Sequence, residues 1–186
     1  MSQFTIHTEE TAPPASRQML EASRNAVGFV PSLFGVLAEA PKAYQALAQY
    51  FEDTSLTTTE QHVVWLTVNY ENDCGYCVPA HTGLAKLDGV ADDVIQALRD
   101  GSPLADPKLE ALRPFTIEVV NQRGWVPDES VQAFLGAGYT KQKVLEVVLG
   151  VAHKVFSNYT NHVAETPVDS VFPKFAWEKP AAVAAS

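Results

Sequence analysis

The chain has 186 residues, of which 46% are hydrophobic and 19% are charged, so it can fold around a sizeable core and is not a disordered protein. Its 13 basic and 22 acidic residues give a formal net charge of −9, which disfavours binding to nucleic acid or to an anionic membrane surface. The sequence shows no secretory signal pattern and no apolar stretch of membrane-spanning length, so we expect a cytoplasmic protein.

The first part of the chain is predicted to be extended and then helical. A helix over 15–25 follows Pro13 and Pro14, and two more helices start near Pro31 and Pro41, because proline is tolerated in a first helical turn. The apolar side of the first helix is formed by Met19, Leu20 and Ala22.

Clear helix-start signals follow in the middle and later parts of the chain. Thr57 and Glu60 have the spacing of a capping box, which opens a helix that runs to about Tyr70. Asp106 followed by Pro107 has the pattern of an N-cap and a first helical residue. The remaining helices are predicted from the cysteines to about Gly89, over 91–100, from Pro107 to Arg123, over 128–135, and from Thr140 to about Glu165.

The longest predicted helix has apolar residues at i, i+3, i+4 spacing, a pattern typical of the face that a helix packs against a core. Strand signals are nearly absent, so the fold class is predicted to be all-α. We expect one domain over residues 1–186, with a core at about 15–166 and an apolar tail at 167–186 that packs on this core or on a neighbouring subunit. The stripe of the longest helix consists of Leu145, Val148, Leu149, Ala152, Val155, Phe156 and Tyr159.

The two cysteines of the chain, Cys74 and Cys77, form a C-x-x-C motif, and His81 follows the second cysteine by four residues. Residues at i and i+3 or i+4 share a helix face, so this spacing brings two thiols and an imidazole together. Asp73 is a candidate N-cap, and Pro79 either moves the helix start to near Gly75 or bends the helix. Both versions leave Cys77 near the positive end of the helix dipole. Cys77 is the predicted attacking thiol because it pairs with His81 at i+4, and Cys74 is then the resolving thiol.

A zinc site is the main alternative for these side chains. Cys74, Cys77 and His81 are possible ligands, and His62 or His162 could supply the fourth. The sequence has no second C-x-x-C and no pair of histidines at zinc-finger spacing, and a core of this size does not need a structural metal.

The motif E-N-D-C-G-Y-C-V-P-A-H, preceded by E-Q-H-V-V-W-L-T-V-N-Y, resembles the alkylhydroperoxidase D and carboxymuconolactone decarboxylase superfamily. The later segment S-N-Y-T-N-H-V-A-E-T-P-V-D resembles larger single-domain members. The likeness is strong over Thr57–His81 and looser over Lys141–Asp169. It implies an all-helical fold that associates into a homo-oligomer, as a dimer, trimer or hexamer.

The resemblance also implies an activity. Members with C-x-x-C reduce organic hydroperoxides, so the second cysteine, Cys77, would become a sulfenic acid and Cys74 would resolve it, with His81 in the proton relay. The lactone decarboxylase branch does not rely on the cysteine pair. No motif for flavin, haem or nucleotide is present, so we expect no cofactor and a lipoyl-type or thioredoxin-type dithiol as the reductant.

One position departs from the family pattern. The relay glutamate that the family has twelve residues before the first cysteine is replaced by His62, which is therefore a candidate relay base or a structural histidine. Glu71 or Glu165 could replace the glutamate instead, because Glu60 is better explained as the capping-box residue.

The remaining candidate side chains are expected to play structural roles. His162 could approach the thiols or fill a polar layer between helices, and His153 is expected to be solvated. Trp65 and Tyr76 are expected in the core or in a pocket wall. The sequence thus predicts a thiol-dependent alkyl hydroperoxide reductase, with a carboxymuconolactone-type lyase and a zinc-stabilised binding protein as alternatives.

Overall fold

The structure is a computed structural model that describes residues 4–181, so residues 182–186 of the predicted tail lie outside the described range. Regular structure within that range is helical, which confirms the all-α prediction. None of the described helices is both long and apolar enough to cross a membrane. The helices in chain order are α1 (Arg17–Val27), α2 (Ser32–Leu37), α3 (Pro41–Glu52), α4 (Thr58–Glu71), α5 (Cys77–Leu87), α6 (Asp92–Asp100), α7 (Pro107–Asn121), α8 (Asp128–Gly136) and α9 (Lys141–Ala164).

Local side-chain signals account for several of the helix ends. The Thr57 hydroxyl accepts from the Glu60 N–H and the Glu60 carboxylate accepts from the Thr57 N–H, which confirms the capping box of α4. Asp106 caps α7, and Thr140 caps α9. Gly101 ends α6 in a left-handed conformation with φ 69°, as expected for a glycine at this position.

Helix α4 forms the centre of the molecule and packs against α5, α6, α7 and α9. A helix that is buried on most of its sides needs apolar or hydrogen-bonded residues all round, rather than one apolar stripe. The buried apolar residues of α4 are Val63, Val64, Trp65, Leu66 and Val68. Because α4 leads directly into the cysteine motif, the core fixes the position of that motif.

The apolar stripe of α9 faces the core only along one edge, where Leu149, Val155 and Phe156 are half-buried. Leu145, Val148 and Tyr159 are exposed, and Ala152 is exposed between them. The buried side of α9 is largely polar because it faces the cysteine motif and the polar residues of α4. The buried residues of α9 are Glu146, Val147, Gly150, His153, Lys154, Ser157, Asn158, Asn161 and Ala164.

The segment after α9 folds back onto the first part of the chain. This is the first of the two predicted placements of the tail, on its own core. The carboxylate of Asp169 accepts from the Ser32 N–H at 3.0 Å and from the Ser32 hydroxyl, so it caps the start of α2. The Tyr76 hydroxyl donates to the same carboxylate at 2.6 Å. Residue Ala22 of α1, which the sequence places on the apolar side, is exposed, whereas Met19 and Leu20 are buried.

Candidate active site

The cysteine motif lies in the turn between α4 and α5. Asp73 has a left-handed backbone with φ 51°, which an aspartate tolerates better than most residues. The Cys74 N–H donates to the Asn69 carbonyl at 3.0 Å, and α5 begins only at Cys77. The predicted N-cap role of Asp73 is therefore wrong, and Cys74 precedes the helix instead of lying within it.

The late start of α5 removes the difficulty that Pro79 poses. Pro79 is the third residue of α5, where a backbone N–H has no partner within the helix, so the proline costs no helical hydrogen bond. Cys77 is the first residue of α5 and lies at the positive end of the helix dipole.

Both thiols are free and buried, with 0% of Cys74 and 1% of Cys77 exposed. The two side chains are hydrogen-bonded to each other, and the Cys77 N–H donates to Cys74 Sγ at 3.3 Å. The amide of Asn161, on α9, donates from Nδ2 to Cys77 Sγ at 3.1 Å. Thiols in direct contact at adjoining turns are placed for disulfide exchange.

A network of asparagine side chains holds the turn in place. Asn69 donates to the Cys77 carbonyl at 3.3 Å, and Asn158 donates to Asn69 Oδ1 at 2.8 Å. Asn72 donates to Asn158 Oδ1 at 2.9 Å. Buried polar networks with their partners in place are rigid, so α4, α5 and α9 are joined at the thiols.

The two cysteines differ in acidity. Burial opposes the ionisation of Cys77, but the hydrogen bond from Cys74, the positive charge of Lys154 and the Asn161 amide outweigh it and lower the pKa of Cys77 to about 7. The hydrogen bond to Cys77 and burial raise the pKa of Cys74 well above its usual range. Because the thiolate is the nucleophilic form, this difference in pKa favours Cys77 over Cys74 as the nucleophile.

His81 contacts a buried lysine. Lys154 Nζ lies 2.7 Å from His81 Nε2, and no hydrogen bond joins His81 to a thiol in the described structure. Burial and then the charge of Lys154 hold the pKa of His81 well below its usual value, so the imidazole is neutral near pH 7. A neutral imidazole that accepts at Nε2 has its hydrogen on Nδ1, and this buried nitrogen has no partner among residues 4–181.

His62 is fully buried in α4, and its Nε2 lies 2.8 Å from Asp88 Oδ2. Burial lowers the pKa of His62 more than Asp88 raises it. The Trp65 ring lies 5.1 Å, between centroids, from the rings of both His62 and His81. The structure thus places His62 against the Trp65 ring and within hydrogen-bond distance of Asp88. The role of His62 as relay base remains a prediction.

The two glutamates considered as replacements lie at helix ends. Glu71 is half-buried at the end of α4 and accepts from Asn121 at 2.8 Å. Glu165 is exposed and follows α9 in a left-handed conformation with φ 50°. Neither carboxylate is hydrogen-bonded to a thiol or to His81 in the part of the chain that the structure describes.

The other two histidines differ from their predicted placements. His153 is buried, so its predicted solvation is wrong, and its Nδ1 accepts from Trp65 Nε1 at 3.3 Å. It is buried because the polar side of α9 faces inward. His162 is exposed at the end of α9, so it neither approaches the thiols nor fills a polar layer between helices.

The donor set of the zinc alternative is not assembled. Within residues 4–181 there is no group of three or more His, Cys, Asp or Glu side chains that could hold a metal ion. His62 is bound to Asp88, and His162 is exposed.

A pocket of about 900 Å³ opens onto Cys77 and His81. A volume of this order suits a small organic molecule, and an apolar wall favours apolar ligands. The expectation that Trp65 and Tyr76 are core or pocket-wall residues is confirmed. The aromatic residues of the wall include Phe34, Tyr44, Trp65, Tyr76, Phe172 and Phe175.

Phe172 and Phe175 come from the segment after α9, so that segment forms one side of the pocket. Arg99 holds it by donating to the Phe175 carbonyl at 3.2 Å and to the Ala176 carbonyl at 3.0 Å. Gly83 makes the close approach possible, because a Cβ there would lie 3.0 Å from the Phe175 ring.

Several residues of the site were not identified from the sequence as parts of it, among them Lys154, Asn69 and Asn161. Lys154 lies on α9, and the apolar stripe of this helix predicts a different inward face. The available signal was the opposite side of this helix, where small and polar residues recur at helical spacing. These residues are Gly150, His153, Lys154, Ser157, Asn158 and Asn161.

The helical fold is similar to those of solved peroxidase-related structures of the alkylhydroperoxidase type. A model of the Carboxymuconolactone decarboxylase family matches residues 37–118, a segment that contains Cys74, Cys77 and His81. Over this segment the chain is similar to the family that the motif resembles. No curated protein matches the chain.

Several solved structures have the same fold. The alkylhydroperoxidase AhpD core of an uncharacterized peroxidase-related protein from Ralstonia eutropha JMP134 is 21% identical, with a TM-score of 0.78 over 92% of this chain and 94% of that one. The debrominase Bmp8 in complex with 2,3,4-tribromopyrrole is 14% identical, with a TM-score of 0.79 over 94% and 96%. A peroxidase-related protein from Silicibacter sp. TM1040 is 15% identical, with a TM-score of 0.75 over 91% and 94%.

Proposed function

We propose that this protein is a thiol-dependent reductase of organic hydroperoxides. The observation that supports this function best is the pairing of two chemically distinct thiols beside an apolar pocket. Cys77 has a lowered pKa and borders the pocket, whereas Cys74 is held as a thiol against it. A peroxidatic cysteine needs the first property, and a resolving cysteine needs the second.

The reaction proceeds in two balanced steps. The Cys77 thiolate attacks the terminal oxygen of the hydroperoxide, the O–O bond breaks, and the alkoxide that leaves takes up a proton to become an alcohol. The Cys74 thiol then attacks the Cys77 sulfur, the two sulfurs form a disulfide, and water leaves. An external dithiol of the lipoyl or thioredoxin type reduces the disulfide by exchange and is itself oxidised.

The pocket indicates the class of hydroperoxide. Most of its wall is aromatic or aliphatic. Polar side chains lie around Cys77, and others line the wall elsewhere: Ser23, Glu52, Lys86 and Lys174. A bulky apolar hydroperoxide would bury more surface there than hydrogen peroxide can, and burial of apolar surface contributes about 25 cal/mol per Å². We therefore expect a preference for cumene hydroperoxide or a fatty-acid hydroperoxide.

The test is turnover of cumene hydroperoxide with a lipoyl dithiol, compared in the parent chain and in Cys74→Ser and Cys77→Ser. Both variants should lose turnover. Only Cys74→Ser should accumulate a sulfenic acid that a dimedone-type reagent traps, because Cys77 is then oxidised without being resolved. Turnover in Cys77→Ser at the parent rate would rule out the mechanism.

Two other activities are separated by a second substrate and by the Cys77→Ser variant. Reductive debromination is favoured by the aromatic wall beside a dithiol, and it would convert a bromoaromatic and two thiols into the debrominated ring, a disulfide, bromide and a proton. Bromide release from 2,3,4-tribromopyrrole with a dithiol tests it directly. A lyase of the carboxymuconolactone type would keep its activity in Cys77→Ser, since it does not use the cysteine pair.

We also propose that the protein self-associates through the outer face of α9. Leu145, Val148, Tyr159 and Val163 are exposed along one side of this helix, and a contiguous apolar face on a soluble domain is typical of an interface. A second copy of the chain would cover the face, as expected for a homo-oligomer.

A further inference from the structure

Lys154 is a cation in an unusual place. Its side chain is only 1% exposed, and a buried ammonium is costly unless an anion lies near it. None of the ion pairs among the described residues joins Lys154 to a carboxylate. Its hydrogen bond goes to His81, which is neutral, so His81 does not balance the charge.

The anion that can balance this charge is the Cys77 thiolate. Burial lowers the pKa of Lys154, and the charges of Cys77 and Cys74 raise it, while Lys154 in turn lowers the pKa of Cys77. The other neighbours are neutral near pH 7, because burial depresses the pKa values of the histidines and raises those of the tyrosines. The neutral titratable groups around the pair are Cys74 in the turn, Tyr44 on α3, His62 on α4, Tyr76 and His81 at α5, and His153 on α9. Three charged side chains line the same pocket: Glu52 on α3, Lys86 on α5 and Lys174 after α9.

We propose that Lys154 is the counter-ion of the Cys77 thiolate and that, through His81, it supplies the proton that the leaving alkoxide takes up. The counter-ion role concerns the resting protein alone, and the proton-donor role rests on the proposed function. Lys154 lies in α9, outside the segment that matches the family model.

The proton transfer balances without any further group. The resting site holds one thiolate and one ammonium, with no net charge. When Cys77 attacks the hydroperoxide, the His81 Nδ1–H, which has no other partner in residues 4–181, protonates the alkoxide. His81 Nε2 takes a proton from Lys154 Nζ along the 2.7 Å hydrogen bond. The site then holds a sulfenic acid, a neutral imidazole and a neutral amine, and it is again uncharged.

The cycle closes when the disulfide is reduced. Exchange with an external dithiol returns two hydrogens to the site, so that Cys74 regains its thiol hydrogen. The second proton passes from Cys77 to the Lys154 amine and restores the thiolate and the ammonium. His81 returns to its starting tautomer when water brings one proton to Nδ1 and removes one from Nε2.

The counter-ion is tested by alkylation of Cys77 with iodoacetamide across a range of pH, in the Cys74→Ser background so that one thiol reacts. Lys154→Met removes the charge but keeps the length of the side chain. It should move the midpoint of the rate profile up by at least about one pH unit and slow the reaction at pH 7 about tenfold. Lys154→Arg should keep the low midpoint, because the charge remains.

Lys141→Met is the matched control, since Lys141 is an exposed lysine at the start of the same helix. It should leave the midpoint unchanged. Circular dichroism of each variant confirms that the helices are intact. If the midpoint of the alkylation profile is the same in folded Lys154→Met as in the parent, Lys154 is not the counter-ion of Cys77.

Proton delivery is tested by oxidation of Cys77 with cumene hydroperoxide at a pH above the midpoint of every variant, where Cys77 is a thiolate in all of them. Lys154→Met and Lys154→Arg should then both be slower than the parent by about a hundredfold, because neither side chain can give up a proton. Rates equal to the parent's would overturn proton delivery. A parent chain that no hydroperoxide oxidises would overturn the proposed function and this delivery step, while the alkylation profile would still decide the counter-ion.

Discussion

The amide of Asn161 is an uncharged group that contributes to the reactivity of a buried thiol. Its Nδ2 donates to Cys77 Sγ at 3.1 Å, and a donor at this position favours the thiolate over the thiol. Hydrogen bonds to charged groups contribute roughly 1.5–3 kcal/mol, so one amide affects how much thiolate is present near neutral pH.

Asn161→Leu removes this donor with little change in volume. We expect a higher pKa for Cys77, and since only the thiolate reacts, the profile of alkylation rate against pH should move to higher pH, with a loss of about tenfold at pH 7. Asn121→Leu is the control, because that amide is exposed and binds Glu71. A profile that stays in place would mean that the amide does not stabilise the thiolate.

At the residue scale, the sequence predicts the reactive pair but not its surroundings. The spacing of Cys74, Cys77 and His81 is local, so proximity follows from chain geometry. Lys154 is 73 residues from His81, its hydrogen-bond partner, and nothing local to either residue indicates that they meet. The pairing depends on how α9 is rotated about its axis, which only tertiary packing decides.

At the element scale, helix starts are predictable where a side chain caps its own backbone, as at Thr57, Asp106 and Thr140. The start of α5 cannot be predicted in this way, because Tyr76 occupies the N-cap position without a side-chain cap. The preceding turn at Asp73 is instead fixed by the bond from the Cys74 N–H to the Asn69 carbonyl.

The rotation of α9 is the larger error of the sequence prediction. An amphipathic stripe tells which residues share a face but not whether that face meets the core or another molecule. Here the polar face turns inward because the site and α4 supply partners for its polar groups, such as the Asn69 amide for Asn158.

Gly150 is where α9 approaches the core most closely. A Cβ at this position would lie 2.7 Å from Val64 Cγ1 and closer still to the Phe51 ring. We expect Gly150→Ala to lower the free energy of unfolding by about 1–3 kcal/mol, because the packed core must shift to make room. Chemical denaturation followed by circular dichroism measures this change.

Gly136, the last residue of α8, is the matched control. A Cβ there would meet nothing within 4 Å, so Gly136→Ala should be neutral or stabilising by up to about 1 kcal/mol. Equal effects at the two glycines would contradict the close packing of α9 on α4.

At the scale of the whole molecule, the outer side of α9 is an apolar surface that a single chain leaves exposed to solvent. Leu145 is 70% exposed, and Val148 lies beside it on the same side of the helix. The inward polar face and the outward apolar face are two aspects of one arrangement, so the helix that completes the site also presents the proposed interface.

Leu145→Lys should dissociate the oligomer, because a lysine would be desolvated at the contact. Sedimentation velocity should then give a smaller mass than for the parent. Leu87→Lys is the control, since Leu87 is 79% exposed on α5 and lies outside this face. A parent chain that sediments as a monomer would remove the basis for the interface.

The bond between Asp169 and Ser32 joins positions that are 137 residues apart. A ribosome releases residue 32 long before residue 169, so the start of α2 must wait for its cap during most of synthesis. Phe172 and Phe175 are translated later still. Until then the pocket wall beside the cysteines is incomplete, and oxidants and thiols can reach them. The interval between translation of the motif and translation of its cover is thus the period in which a newly made chain is most open to unwanted sulfur chemistry.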